Sequence, residues 1–98
     1  MKRSDVLRLL GDHREQLRHD FAVKSLALFG SVARDEATEA SGIDLLVEFD
    51  RPVGLLHLLA TQQHLQQLLG VAKVDLVLRR AVLPELKDDI LAEAVHAF

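Results

Sequence analysis

Three short apolar runs recur along the chain, and each is too short to form a helix before a turn residue interrupts it. They are VKSLALF (Val23–Phe29), IDLLVEF (Ile43–Phe49) and VAKVDLVL (residues 71–78). In the second and third runs, apolar and polar residues largely alternate, which is typical of a strand with one apolar face. The runs therefore predict three β-strands, the first of them near the middle of a sheet.

Segments with helical periodicity separate these predicted strands. Apolar residues recur at helical spacing over residues 4–19, where Ser4 can cap the helix, and a leucine-rich segment ends at Gly70. Pro84 suits the first turn of a last helix, with Leu86 facing inward. The order helix, strand, strand, helix, strand, helix predicts an α/β (α+β) fold, with a small mixed sheet of three or more strands packed with helices. A chain of 98 residues fits a single domain over residues 1–98.

Composition excludes several classes of protein. Cysteine is absent, which excludes disulfides and zinc–thiolate sites, and no segment is long and apolar enough for a membrane span. The net charge of -3, with scattered basic residues and no Trp or Tyr, disfavours nucleic-acid binding. We expect a soluble cytoplasmic protein. A homo-oligomer or a partner protein would cover any leucines that the small sheet leaves exposed.

Two aspartates interrupt apolar strands. Asp44 and Asp75 lie mid-strand, where aspartate is depleted, and burying an isolated carboxylate costs several kcal/mol. Either both side chains lie on a solvated sheet face, or they hold a divalent metal for phosphoryl or nucleotidyl transfer. Upstream, Gly30 permits close backbone approach, and Ser31 with the following amides could hold a phosphate.

The spacing of these residues resembles that of a known family. The pair Gly30-Ser31, ten intervening residues, position 42 and Asp44, together with Asp75 in KVDLV, is similar to the minimal nucleotidyltransferase (MNT) family. That family belongs to the DNA polymerase beta-like nucleotidyltransferase superfamily, and the resemblance implies its palm-like fold. The family chemistry is transfer of AMP to a hydroxyl of a HEPN-domain partner, by which an antitoxin blocks its toxin.

The resemblance also assigns roles to individual residues. Asp44 and Asp75 would be the catalytic, metal-binding carboxylates, with Mg²⁺ as the cofactor and ATP or another NTP as the substrate. Gly30, Ser31 and Arg34 would bind the nucleotide. For Arg34 an alternative stays open, because it could instead pair with Glu36 or with a sheet carboxylate and fix the loop.

Position 42 departs from the family pattern, which has aspartate at both ends of a D-x-D unit where this chain reads Gly42-Ile43-Asp44. A loop acid such as Asp35, Glu36 or Glu39 could replace the missing carboxylate, although less accurately than a strand residue. Two functions therefore stay open. The chain is either an active nucleotidyltransferase, or a catalytically weakened pseudoenzyme that acts by binding its partner. Gly42 could also be an alteration in an otherwise active chain.

Overall fold

The computed structural model describes residues 1–36 and 42–98, and all elements named below lie within these ranges. Five α-helices, one short 3-10 helix and four strands are present there. The helices are α1 (Arg3–Asp12), α2 (Arg14–Phe21), α3 (Gly30–Ala33), α4 (Leu55–Leu69) and α5 (Pro84–Glu93), with the 3-10 helix at Arg79–Ala81. The strands are β1 (Val23–Phe29), β2 (Ile43–Phe49), β3 (Val74–Leu78) and β4 (Val95–His96).

The strands form one mixed sheet in the order β3-β2-β1-β4. The β1 strand pairs antiparallel with both β2 and β4, whereas β2 and β3 run parallel. This arrangement confirms the predicted small mixed sheet packed with helices, and it confirms that the first predicted strand is central. The parallel β2–β3 pair is the feature that brings the two strand aspartates together.

The core lies between the sheet and helices α1, α2 and α4. Alternate residues of β1 and β2, including Leu26, Leu28 and Leu45, are fully buried against Leu10 of α1 and Leu65 of α4. On the opposite side of the sheet, α5 residues border a cavity together with β1 and β2 residues. None of the helices in the described ranges has the length and apolarity needed to cross a membrane.

The helix predicted over residues 4–19 is in fact two helices. His13 leaves the helical conformation at φ −104° and ψ 15° and separates α1 from α2. Its ring Nδ1 donates to the Leu9 carbonyl at 2.8 Å, and the same carbonyl also accepts the His13 backbone N–H at 3.2 Å. The predicted Ser4 cap is also wrong, since α1 begins at Arg3 with Lys2 as its N-cap.

The C-terminal part differs from the prediction in three ways. The β3 strand begins at Val74 rather than at residue 71, because Gly70 ends α4 in the left-handed conformation (φ 66°) and the chain must turn first. Leu86 was predicted to face inward, yet it is 50% exposed. The two-residue strand β4 was not predicted, because a strand this short has no periodicity to detect.

Candidate active site

The turn after β1 places a glycine directly against a carboxylate. Gly30 begins α3 with φ +76°, and Phe29 before it is the cross-strand partner of Asp44. A Cβ atom at position 30 would overlap the Asp44 carboxylate, so only glycine permits both this φ and this approach. Among the described residues, the N–H groups of Ser31 and Val32 have no hydrogen-bond acceptor. Where the structure describes the chain, the turn therefore presents two unpaired donors.

Asp44 and Asp75 are cross-strand partners on the parallel strands β2 and β3. Their carboxyl groups lie within hydrogen-bonding reach of each other. Burial raises the pKa of Asp44, the nearby negative charge of Asp75 and their hydrogen bond raise it further, and Lys73 and Arg34 oppose the shift. The Lys73 ammonium lies 3.8 Å from Asp75, whose side chain is 47% exposed. Two carboxylates thus share one partly buried position, as the strand pattern and the family resemblance predict.

Position 42 has room for a side chain. Gly42 precedes β2 and lies beside Lys73. The N–H of Ile43, which follows Gly42, donates to the Lys73 carbonyl at 3.1 Å. A Cβ atom at position 42 would lie 3.3 Å from Lys73 Cγ and Cδ, which belong to a flexible side chain. Gly42 does not have a positive φ, so an aspartate here requires only that Lys73 shift slightly.

The loop acids do not compensate for Gly42 where the structure describes them. Asp35 pairs with Arg3 at 3.4 Å, and Glu36 pairs with Arg34 at 3.1 Å. Glu39 lies outside the described residues. Within the parts of the chain that are described, no three His, Cys, Asp or Glu side chains are grouped so that they could hold a metal ion together. The described donor set is therefore a pair of carboxylates.

Arg34 is held by two carboxylates. Its Nε donates to Glu36 at 3.1 Å and its Nη1 to Glu93 at 2.9 Å, and these hydrogen bonds, that of Glu36 first, raise its pKa. The other carboxylate oxygen of Glu93 accepts the Gly30 N–H at 2.9 Å. This backbone hydrogen bond is the main reason that the pKa of Glu93 is lowered, and Arg34 adds to the effect.

Glu36 was expected as a partner of Arg34, whereas Glu93 was not. Glu93 is the last residue of α5, and 63 positions separate it from Gly30. Their contact depends on the pairing of β4 with β1, which no local pattern indicates. The only hint in the sequence is an acidic residue just before a short apolar segment, and that feature is too common to be informative.

Asp44 and Asp75 open onto a cleft of about 580 Å³ between β2, β3 and α5. Its other walls are mostly apolar and include Leu83, Leu86 and Ile90, with Gln62 as a polar contributor. A volume of this size is in the usual range for small-molecule sites. The cleft thus combines paired acids with an apolar wall.

Comparison with known proteins identifies the family. The sequence model of the nucleotidyltransferase domain family matches residues 10–96 of this chain, a range that contains the turn and both strand aspartates. The chain is also 34% identical over 92 residues to the protein adenylyltransferase MntA of Thermococcus cleftensis, and the match covers 94% of this chain and 92% of that protein. This chain belongs to the minimal nucleotidyltransferase family.

Solved structures agree with the fold of this minimal nucleotidyltransferase. One, provisionally named a minimal nucleotidyltransferase, is 37% identical and has a TM-score of 0.78, with 97% of this chain and 95% of that chain covered. Another is an MNT antitoxin in complex with a tri-AMPylated HEPN toxin of Shewanella oneidensis. At 20% identity and a TM-score of 0.66, covering 94% of this chain and 71% of the other, it supports the fold alone.

Nucleotidyltransferases of this family use a nucleoside triphosphate with a divalent metal ion. The described residues of this minimal nucleotidyltransferase fit such a pair of ligands. Asp44 and Asp75 repel each other at close range, which a divalent cation would relieve. A hard cation that keeps waters and binds substrate phosphates needs only one or two protein carboxylates. The free N–H groups of Ser31 and Val32 are suited to phosphate oxygens.

Proposed function

We propose that this minimal nucleotidyltransferase transfers AMP from ATP to a hydroxyl group of a HEPN-domain partner, as the antitoxin of a cytoplasmic toxin–antitoxin pair. The observation that carries the proposal is the Asp44–Asp75 pair, which lies against the Gly30–Ser31 turn. The similarity to a protein adenylyltransferase supports the reaction type. An antitoxin with the same fold is bound to an AMPylated HEPN toxin, and from that complex we take the proposed partner class. In this proposal residues 1–98 act as one nucleotidyltransferase domain.

Each residue of the site has a distinct task in this reaction. Asp44 and Asp75 would hold Mg²⁺, which when bound would supply neutralisation of phosphate charge and polarisation of the phosphoryl group. Ser31 and the amides of the turn bind oxygens of the triphosphate. Arg34 uses two of its five N–H donors on Glu36 and Glu93, and it adds positive charge beside the same phosphates.

The chemistry is an in-line displacement at the α-phosphorus of ATP. The hydroxyl oxygen of the partner forms a bond to this phosphorus, and the bond to the bridging oxygen of the β-phosphate breaks. Pyrophosphate leaves with the bonding electrons, and the hydroxyl proton is released to solvent.

A second candidate function is inhibition of the partner by binding alone. Gly42 favours this alternative, because it leaves two rather than three carboxylates on the strands. In such a pseudoenzyme the fold and the partner surface would remain, whereas transfer would be slow or absent. Both candidates place the same partner against the same chain, so only a measurement of nucleotide chemistry separates them.

Titration calorimetry with Mg²⁺ and a non-hydrolysable ATP analogue tests the first candidate. We expect the unaltered chain and the Gly42→Asp variant to bind, and Asp44→Ala to lose at least about tenfold in affinity, since it removes a charged ligand. Asp88→Asn, which changes an exposed acid on α5, is the matched control. Binding by Gly42→Asp alone would favour the pseudoenzyme.

Transfer is then measured directly with ATP labelled at the α-phosphate and the purified HEPN partner. Label on the partner that depends on Asp44 and Asp75 supports the adenylyltransferase. Inhibition of the toxin that is equally strong without any nucleotide, and no transferred label, supports binding alone. Gly42→Asp shows how far position 42 limits the rate, because this position accepts a side chain at little structural cost.

A further inference from the structure

Glu93 has no role in the mechanism above, yet its carboxylate contacts both the Gly30–Ser31 turn and Arg34. One oxygen accepts the Gly30 N–H at 2.9 Å, and the other accepts Arg34 Nη1 at 2.9 Å. The Glu93 side chain is 30% exposed, and its contact with the Gly30 N–H is partly buried, whereas its contact with Arg34 is exposed. One carboxylate thus joins the start of α3 to the arginine that follows it.

The sheet itself positions Glu93. In the antiparallel β1–β4 pair, Ala27 lies opposite His96 and Leu28 lies opposite Val95. When this register is continued by two residues beyond the paired positions of β1 and β4, Glu93 lies opposite Gly30. The terminal segment is fixed to β1 by further hydrogen bonds, including Ala97 N–H to the Leu26 carbonyl at 2.9 Å. Backbone pairing of the segment that follows Glu93 therefore holds this residue beside the turn.

The N–H donors of the turn differ in whether a described residue accepts from them. Glu93 takes the Gly30 N–H, whereas the Ser31 and Val32 N–H groups have no acceptor within the described residues. An incoming triphosphate can thus bind the turn without displacing Glu93. With its first amide satisfied and Arg34 oriented, the turn has its binding geometry before the nucleotide arrives, which lowers the entropic cost of binding.

We propose that Glu93 is a positioning residue for nucleotide binding, which holds the Gly30–Ser31 turn and Arg34 in the geometry that receives the triphosphate. This inference rests on the proposed nucleotidyltransferase function and assigns that function a residue from the opposite end of the chain. Glu93 itself does not touch the nucleotide. Its lowered pKa keeps it an anion throughout the neutral range, and the negative charge strengthens both contacts.

The test compares Glu93→Ala, Glu93→Gln and the control Asp89→Asn, which changes an exposed acid on the same helix. Affinity for the Mg²⁺-bound ATP analogue is measured by calorimetry. We expect Glu93→Ala to weaken binding about tenfold or more, because it removes two charged hydrogen bonds. Glu93→Gln should recover part of the loss, since its amide oxygen still accepts the Gly30 N–H. Asp89→Asn should bind like the unaltered chain.

A second readout needs no nucleotide. In proton–nitrogen NMR spectra of the free proteins, the Gly30 amide should shift and exchange faster with solvent in Glu93→Ala, and only slightly so in Glu93→Gln. If the unaltered chain binds nucleotide and the Glu93 variants bind it equally well, only the positioning role is wrong. Tighter binding by either variant would overturn it in favour of competition between Glu93 and the triphosphate. If the unaltered chain does not bind, the proposed function fails, and the role of Glu93 in it fails as well.

Discussion

Gly30 is the residue whose replacement the structure restricts most. It combines a positive φ of +76° with a position where a Cβ atom would overlap the Asp44 carboxylate. We predict that Gly30→Ala lowers the free energy of unfolding by about 1–3 kcal/mol and abolishes nucleotide binding. Gly70→Ala is the matched control, because Gly70 has a φ of +66° but no atom within 4 Å of its Cβ position.

Urea unfolding measures both glycine variants. Gly70→Ala should show only the backbone cost, about 1 kcal/mol, and should bind nucleotide normally. Gly30→Ala should exceed it, because the overlap adds to the backbone cost. Equal stability losses in the two variants, with nucleotide binding intact in both, would mean that contact with Asp44 does not restrict position 30.

Asp44 gives the fold a pH dependence of known sign. Because its pKa is higher in the folded chain than the ordinary value of 3.8, the folded state binds more protons between these two values. The free energy of unfolding therefore falls as pH rises from about 3.8 through the raised pKa, and the penalty persists at neutral pH. We predict that Asp44→Asn has a higher free energy of unfolding than the unaltered chain at pH 7.

Urea unfolding of the metal-free proteins between pH 3.5 and about 7 checks this prediction. The difference in the free energy of unfolding between Asp44→Asn and the unaltered chain should be small at the acidic end and should grow with pH. A metal-free Asp44→Asn protein that is less stable at neutral pH would show that the carboxylate is stabilised by its neighbours. The proximity of Asp75 would then not lower the free energy of unfolding, and metal binding would have no repulsion to relieve.

Among the elements, β3 is an edge strand that carries Asp75, and α4 supports it. Gln62 Nε2 donates to the Val74 carbonyl at 2.6 Å, and Gln66 Oε1 accepts the Val74 N–H at 3.2 Å. Val74 is fully buried, so these two glutamines satisfy backbone groups that water cannot reach. The start of β3, one residue before Asp75, is therefore fixed by a helix as well as by β2.

We predict that Gln66→Leu lowers the free energy of unfolding by about 1–3 kcal/mol, because it leaves the buried Val74 N–H without an acceptor. Gln63→Leu is the control, since Gln63 is exposed on the same helix. Hydrogen exchange should show faster exchange of the Val74 amide in Gln66→Leu alone. Similar stability and similar exchange in the two variants would mean that β2 alone holds this end of β3.

Sequence patterns predicted the elements whose signals are local. The observed bounds of β1, β2 and α4 agree with the prediction, because local sequence patterns define these segments. Gly30 follows the last residue of β1, and Gly70 follows the last residue of α4. The Asp44–Asp75 pair followed from strand alternation together with the family resemblance. The break at His13, the strand β4 and the contacts of Glu93 were missed because each depends on one side-chain contact or on pairing between distant segments.

At the scale of the whole molecule, some leucines remain uncovered, as sequence analysis expected. Leu55 and Leu56 at the start of α4 are 70% and 83% exposed, and Leu83 beside the cleft is 61% exposed. Exposed leucines in groups are typical of surfaces that bind other proteins. The apolar wall of the cleft reaches the surface at Leu83, so a partner protein that offers its hydroxyl there would also cover apolar area. Homo-oligomer formation through the α4 leucines stays a prediction.

Ligand binding at the cleft should stabilise the entire fold, because the site exists only when β1, β2 and β3 are paired. Mg²⁺ with a non-hydrolysable ATP analogue at 100 times its dissociation constant should add about 2.7 kcal/mol to the free energy of unfolding. For a domain of this size, that corresponds to a rise in Tm of roughly 10 °C or more. Mg²⁺ alone should give a much smaller rise, because two carboxylates supply few of its ligands.

Thermal unfolding of the unaltered chain, Asp75→Asn and Gly42→Asp checks this coupling. Asp75→Asn should lose most of the rise with the nucleotide. Gly42→Asp should gain a rise with Mg²⁺ alone, since three carboxylates then face one position. If Mg²⁺ and nucleotide leave the Tm of the unaltered chain unchanged while they raise that of Gly42→Asp, a single glycine has uncoupled the fold from its ligand. Inhibition of a partner would then depend on the protein surface alone.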